Sequence, residues 1–318
     1  MAAASTVTSH ITATTAIMPA VLAYEIYLND QGRSLYTVKA FMSDLHLMEK
    51  YFASHFSPDR AVSEITTADL NNFFEWMQIE RKNVKMEHIS CSPKTLARRI
   101  TTAKSFFRWL QKNGVLMFDP AEKVLQRSVM SPLPEVLTDA EIQAVLLAAD
   151  RYRRNPKPDA RPYALLYLLL STGIKKSECL GVHLNHIDLQ APEGPTLFIR
   201  YGTANRYKER KLPLSEEWLR AYEEYNSKYS LIEQLFPWSP RRLEYLLEDI
   251  GEAAGLTKHL SFDMCRWTYA LSEFLHGEDP NTIRQNLGVS KIQWRELNLK
   301  LKKLSQLRTG IIPSGTNA

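Results

Sequence analysis

Lys94-Thr95-Leu96-Ala97-Arg98-Arg99-Ile100-Thr101-Thr102-Ala103-Lys104-Ser105-Phe106-Phe107-Arg108-Trp109-Leu110-Gln111-Lys112 decides the reading of this chain. At about 100° per residue, Leu96, Ile100, Ala103, Phe106, Phe107 and Leu110 share one arc of about 120°. Lys94, Arg98, Lys104, Arg108 and Lys112 share the opposite arc, and no acid of the segment interrupts them. The stretch is therefore predicted as one helix with an apolar face for a core and a cationic face. Solvated helix faces normally mix signs at i,i+4; an unmixed row of cations has the charge and reach to follow nucleic-acid phosphates.

Working outward, the flanks are helical too. Ser92-Pro93 starts this helix, since proline in a first turn loses no hydrogen bond. Upstream, Ala23, Ile26, Tyr27, Val38, Phe41, Leu45 and Met48 recur at helical spacing, and Thr66 with Asp69 opens a helix carrying Leu70, Phe73, Phe74 and Met77. Residues 21–117 are read as a small helical bundle. Residues 118–135, with Pro120, Pro132 and Pro134, are read as a linker. A second domain, 136–308, opens with the capping box Thr138-Asp139-Ala140-Glu141 and continues with an apolar helix from Pro162 to Ser171. Within it, 196–201 and 208–214 read as strands, with a shorter one near Ile187 to Leu189, before helices return. The fold class expected is mainly α with a small antiparallel β-sheet. Residues 1–20, which carry no Lys, Arg, Asp or Glu, are read as a mobile tail, and 309–318 as another.

Composition narrows the function. The 318 residues, 44% apolar and 24% charged, suit two globular domains. No run approaches the roughly 18 apolar residues of a membrane span. Twelve glycines are few for Rossmann or P-loop chemistry. Cys91, Cys179 and Cys265 are odd in number and widely spaced, which fits a reducing cytosol and neither a disulfide framework nor a zinc site. His183 and His186 lack a third ligand, so no metal and no cofactor is expected. The net charge of +5 is mild, but further basic clusters lie at 151–161, 200–211 and 291–308.

Five segments, in order, carry a resemblance. Ser92 to Arg99 followed by Phe106-Phe107-Arg108-Trp109-Leu110 is similar to the last helices of the core-binding (SAM-like) domain of tyrosine recombinases, the phage integrase family, and of the Xer recombinases in particular. Leu170-Ser171-Thr172-Gly173-Ile174-Lys175-Lys176-Ser177-Glu178-Cys179-Leu180 resembles the box around that family's first catalytic arginine. Gly202 through Lys208-Glu209-Arg210-Lys211-Leu212-Pro213-Leu214 resembles the hairpin that bears its lysine. Arg266-Trp267-Thr268-Tyr269-Ala270 resembles the second arginine box, and Ile283 to Ser290 the segment before the nucleophile. The resemblance spans about Ala23 to about Leu304 and implies a helical core-binding domain followed by a catalytic-type domain.

The same resemblance implies a chemistry: a tyrosine oxygen attacks a DNA phosphodiester, two arginines grip the non-bridging oxygens, and a lysine protonates the leaving hydroxyl. Position by position, this chain keeps only Arg266. Lys175 stands at the first arginine, retaining charge without the bidentate fork. Thr203 stands at the hairpin lysine, where Arg206 or Lys208 substitutes only if an insertion shifts the turn. Asp263 and Val289 stand where histidine, and histidine or tryptophan, are expected. Asn298 falls at the tyrosine, and no tyrosine follows Tyr269. Glu178 is expected to form a salt bridge within its helix pair rather than act as a base. His259, just ahead of the second arginine box, is expected outside the pocket unless its loop folds back.

The expected function is that of a DNA-binding pseudoenzyme of this family. It would hold duplex DNA through Lys94, Arg98, Lys104, Arg108 and Lys112, with Arg210 of the hairpin added, and leave the strand uncut. Two alternatives stand beside it: a working recombinase or integrase given a tyrosine in trans by a partner, and an interaction scaffold without DNA. The stripe Trp294, Leu297, Leu301 and Leu304 fits equally a contact with a second subunit, its own kind or an active recombinase, and packing on its own domain. A cytoplasmic, membrane-free location is expected.

Overall fold

The computed structural model describes residues 11–79, 91–125, 132–201 and 208–309. The chain divides into two compact units, Met1–Ser131 and Pro132–Ala318.

The first unit is helical: α1 (Ile17–Asp30), α2 (Leu35–His55), α3 (Thr67–Ile79) and α4 (Pro93–Lys112). Its sequence punctuates it clearly. Ser34 caps α2 by accepting from the Thr37 amide, and Ser92 caps α4 by accepting from the Thr95 amide. Thr66 and Asp69 exchange bonds at the start of α3, each backbone amide donating to the other's side chain at 2.9 and 3.2 Å. Ile100, Ala103, Phe106, Phe107 and Leu110 of α4 are buried among Tyr24, Leu45, Phe52, Phe73 and Met77. Each such large side chain taken out of water contributes about 1.5–3 kcal/mol. Trp109 joins that face, packed against Tyr24 and Tyr27 of α1.

Two boundaries differ from those read off the sequence. Within the segment expected as a tail through residue 20, residues 11–20 are packed against the unit. Ala16 pairs with Ala61, Val62 and Ser63 donate to the carbonyls of Thr15 and Ala13, and Ile17 and Ala20 are buried. Small, uncharged side chains let this stretch lie against its neighbour, so lack of charge was a packing signal here. The expected linker likewise begins as core. Ala121 and Val124 are buried, and the Pro120 carbonyl accepts from the Thr67 hydroxyl at 2.7 Å.

The second unit runs α5 (Asp139–Arg153), α6 (Arg161–Thr172), α7 (Lys176–Leu180), β1 (Ile187–Asp188), β2 (Thr196–Ile199), β3 (Arg210–Pro213), α8 (Glu216–Tyr229), α9 (Pro240–Ala253), α10 (Phe262–Leu275), α11 (Pro280–Asn286) and α12 (Lys291–Thr309). Both bonds of the Thr138/Glu141 capping box are present. The strands form an antiparallel sheet of order β1-β2-β3, with Leu197 opposite Leu212 and Ile199 opposite Arg210. α6, nearly continuous in apolar residues, is the centre of the unit: Leu165, Leu166, Leu168 and Leu169 are buried, and the Trp218 indole of α8 donates to the Ala164 carbonyl at 3.1 Å.

The stripe of α12 packs on its own unit. Leu301 and Leu304 are buried, and Trp294 and Leu297 pack with them against Tyr269, Leu271, Ile283 and Leu287. Trp294 and Leu297 keep part of their surface exposed. Val289 belongs to the same cluster. No helix among the described residues is long and apolar enough to cross a membrane.

Candidate functional site

In the second unit, a cleft of about 820 Å³ opens between the start of α7 and the N-terminal ends of α9 and α10. Lys175, Asp263 and Arg266 line it, so three positions singled out in sequence converge. Helix geometry places them: Ser261 caps α10, setting Asp263 in the exposed first turn and Arg266 one turn later on the inner face.

Arg266 is 9% exposed and makes two short bonds to backbone, 2.6 Å to the Gly173 carbonyl and 2.5 Å to that of Leu287. Burial lowers its pKa to about 10, with Glu178 pulling the other way. Gly173 ends α6 in the left-handed region at φ 60°, and a methyl group there would overlap the Tyr269 ring. Arg266 thus ties the α6–α7 turn, α10 and the end of α11 into one body.

Behind the cleft, Arg210 and Glu178 form a bidentate pair, Nη1 to Oε1 at 3.0 Å and Nη2 to Oε2 at 2.8 Å. Their side chains are 7% and 2% exposed. Arg210 also donates from Nε to the Asn286 carbonyl at 2.6 Å and from Nη1 to the Lys208 carbonyl at 3.1 Å. Gly288 lets the guanidinium lie close, since a Cβ there would sit 2.6 Å from Nη1. Expected among the DNA-binding cations, Arg210 is instead a buried internal crosslink that makes four N–H···O bonds to protein. Glu178 pairs across to strand β3 and not within its own helix pair. It also accepts from the Lys175 amide at 2.9 Å and from the Tyr201 hydroxyl. Burial alone would raise the Glu178 pKa; the bonds and charge of Arg210, helped by those two donors, outweigh it and hold the value at about 2. Burial and the Glu178 acceptor raise that of Tyr201.

Lys175 is half-buried, and burial together with the Arg266 charge brings its pKa down to about 8. Acids share the cleft: Glu244, 2.6 Å from Lys176 Nζ, Glu248, 3.9 Å from His259 Nδ1, and exposed Asp263. His259 does line the cleft, contrary to the expectation that its loop would hold it away. Lys208 stacks its ammonium 5.5 Å from the Tyr201 ring centre. Thr203 and Arg206 lie outside the described residues. Val289 is 9% exposed in the core. Asn298 sits on α12 with a buried Oδ1 that has no partner among the described residues. Those described residues contain no group of three or more His, Cys, Asp or Glu able to hold a metal ion. His186 accepts from the His183 amide at 3.3 Å, and His183 Nδ1 lies 3.4 Å from Glu233.

In the first unit, the cationic face of α4 is on the surface: Lys94, Arg98, Arg108 and Lys112 are exposed and Lys104 is partly so. It is not free of acid, however. Arg98 donates from Nη1 to the Asp44 carboxylate of α2 at 2.5 Å; Lys104 reaches only a main-chain oxygen, that of Glu122, at 3.4 Å. A basic stripe missed in sequence lies on α2. Lys39, Ser43, His46 and Lys50 of α2 border a cleft of about 520 Å³ with Arg99 of α4. Their spacing of four, three and four was legible as one helical stripe.

Comparison with known families agrees with this architecture. Residues 135–294 match the phage integrase family, and residues 21–114 match the phage integrase N-terminal SAM-like domain. The chain belongs to the phage integrase family. Among curated relatives of this integrase-family chain, tyrosine recombinase XerD of Listeria innocua is 24% identical over 296 residues, covering 86% of this chain and 91% of the relative. Tyrosine recombinase XerC of Lacticaseibacillus casei is 25% identical over 298 residues, covering 88% and 93%. Of solved structures, XerH site-specific recombinase bound to palindromic difH substrate superposes with a TM-score of 0.69 at 17% identity, covering 92% of this chain and 84% of that one. A lambda integrase dimer bound to a COC' core site gives 0.67 at 14%, covering 89% and 77%. At these identities the superpositions establish the integrase fold.

Proposed function

We propose that this chain is a duplex-DNA-binding member of the integrase family that holds DNA without cutting it. The observation that carries the reading is the exposed cationic face of α4, Lys94, Arg98, Arg108 and Lys112, presented on a family scaffold whose solved members include DNA complexes. Lys104 of the same face is partly exposed, and α2 carries two further cations, Lys39 and Lys50, which border a separate cleft with Glu25 and Arg99. In the second unit, Lys175 and Arg266 give the cleft the charge to receive a backbone phosphate, while Asp263 opposes it. Strand cleavage needs an oxygen nucleophile at the Asn298 position, and a carboxamide supplies none.

The test is a salt titration of a duplex of about 30 base pairs followed by fluorescence anisotropy. The logarithm of affinity should fall by about 0.9 per logarithm of salt for each phosphate neutralised. Salt-insensitive binding, or no binding, rejects the reading in favour of a scaffold without DNA. A nicked suicide duplex, incubated with this chain and an active recombinase, separates the remaining alternative. A covalent adduct on this chain, or one that forms only when this chain is present, would show that it takes part in cleavage.

A further inference from the structure

Asp44 lies on α2 amid apolar neighbours and is only 4% exposed, yet three side chains of α4 donate to it. Arg98 Nη1 reaches Oδ2 at 2.5 Å, the Thr102 hydroxyl reaches Oδ2 at 3.1 Å, and Arg99 Nε lies 3.4 Å from Oδ1. Arg98 Nη1 also approaches the Ala40 carbonyl at 3.3 Å. The consequence for Arg98 is specific. Its side chain is 43% exposed, but one terminal nitrogen is anchored to a buried carboxylate, so the guanidinium plane is fixed. Among the described residues, its Nε and Nη2 have no protein partner, and that edge is a two-donor fork.

The neighbours of Arg98 differ from it in reach. On the same face of α4, Thr101 and Ser105 are short; their hydroxyls bond to the Ala97 carbonyl at 2.9 Å and to the Tyr24 hydroxyl at 2.7 Å. Exposed Lys94 stands towards one end of α4 and Arg108 and Lys112 towards the other, while Lys104 in the middle is partly exposed and turned to the Glu122 main-chain carbonyl at 3.4 Å. With short residues beside Arg98, such a helix suits a major groove, its end cations meeting the phosphates that flank the groove and Arg98 meeting base edges. A mobile lysine neutralises phosphate in many geometries; a clamped arginine fork fits few, and guanine O6 with N7 is the base edge it matches.

We infer that Asp44 is a positioning residue that holds Arg98 as a reader of a guanine edge, so that Arg98 sets sequence preference while the surrounding cations set affinity. The inference rests on the proposed duplex binding and adds to it the class of contact one residue makes. In it, Asp44 touches no DNA and acts only through Arg98.

The experiment selects duplexes with a randomised core on the full chain, then measures the affinity and salt slope of the selected duplex and of an unselected one for wild type, Arg98→Lys, Arg98→Ala, Asp44→Asn and Asp44→Asn/Arg98→Ala. Arg98→Lys keeps the charge and loses the fork. It should leave the salt slope unchanged and cut preference for one G·C pair on the order of tenfold. Asp44→Asn removes a negative charge, so affinity for the unselected duplex should hold or rise while preference falls as in Arg98→Lys. The double variant should lose no more preference than Arg98→Ala alone. Preference intact in Arg98→Lys overturns the inference. So does a salt slope that drops by about 0.9 in Arg98→Ala with preference unchanged, which marks an ordinary phosphate contact. If Asp44→Asn melts at the assay temperature, the two Arg98 variants decide alone. Failure of wild type to bind any duplex removes the proposed function itself, a result distinct from binding without preference at that pair.

Discussion

Glu178 and Arg210 meet fork to fork in the interior of the second unit, two N–H···O bonds of 3.0 and 2.8 Å joining α7 to β3. Both side chains are almost fully buried, and the Asn286 and Lys208 carbonyls accept two further N–H bonds from the arginine. The pair locks α7 to β3 behind the cleft whether or not anything occupies it.

Removing one partner should therefore be costly. Glu178→Gln leaves a buried guanidinium without its counter-charge, and thermal or urea unfolding should show a loss of about 3 kcal/mol. The pH dependence has a fixed sign. The carboxyl pKa is held at about 2 in the folded chain against an ordinary value of 4.5, so the stabilisation is complete above about 4.5 and is lost as pH falls towards 2. Unfolding curves of wild type and Glu178→Gln should converge over that window and stay parallel above it.

Lys175 should behave in the opposite sense. Its pKa is lowered from 10.5 to about 8, so the folded chain binds its proton less readily than the unfolded chain does. Below pH 8 the buried charge is a constant cost, and that cost is relieved as pH rises from 8 to 10.5. Lys175→Met should raise stability at pH 7 by about 1 kcal/mol, a figure discounted because the ammonium is partly solvated. The gain should vanish above pH 10.5, as read from melting temperatures across the range.

Arg266→Ala should destabilise the second unit in the absence of DNA. Two carbonyls, of Gly173 and Leu287, lose their donor inside the protein. A loss of about 3 kcal/mol is expected, with Arg266→Lys intermediate because one ammonium cannot span both oxygens as a fork does. Differential scanning calorimetry of the free protein checks it.

Asp263→Asn should tighten duplex binding. The carboxylate lines the cleft that also holds Lys175 and Arg266, and it is exposed to the incoming phosphate. Affinity at low salt should rise roughly two- to fivefold, and the gain should shrink as salt screens the removed charge. Anisotropy titrations at two ionic strengths measure both effects.

The sequence revealed elements more readily than partners. The two faces of α4 are written in its 3.6-residue period, and the capping box at Thr138 and Glu141 marks the start of α5 without help from the rest of the chain. Arg210 shows the limit. In Lys208-Glu209-Arg210-Lys211 the three cations look alike, and only the strand puts Arg210 on the side of Leu212 and Lys211 on the side of Pro213. The alternation was there to be read, but assigning a charged residue to the inner face required knowing that Glu178 waited opposite. Asp44 was equally quiet, one acid in an apolar run, because its three donors lie more than fifty positions away. The α12 stripe named a burial without saying against what; periodicity reports that a face is covered and carries no information on which molecule covers it.

The two carbonyl bonds of Arg266 bear on what its presence can tell. A residue that fastens three segments is held in place by the needs of the fold, whatever chemistry the cleft performs. An intact arginine at such a joint is therefore, by itself, a poor witness to activity.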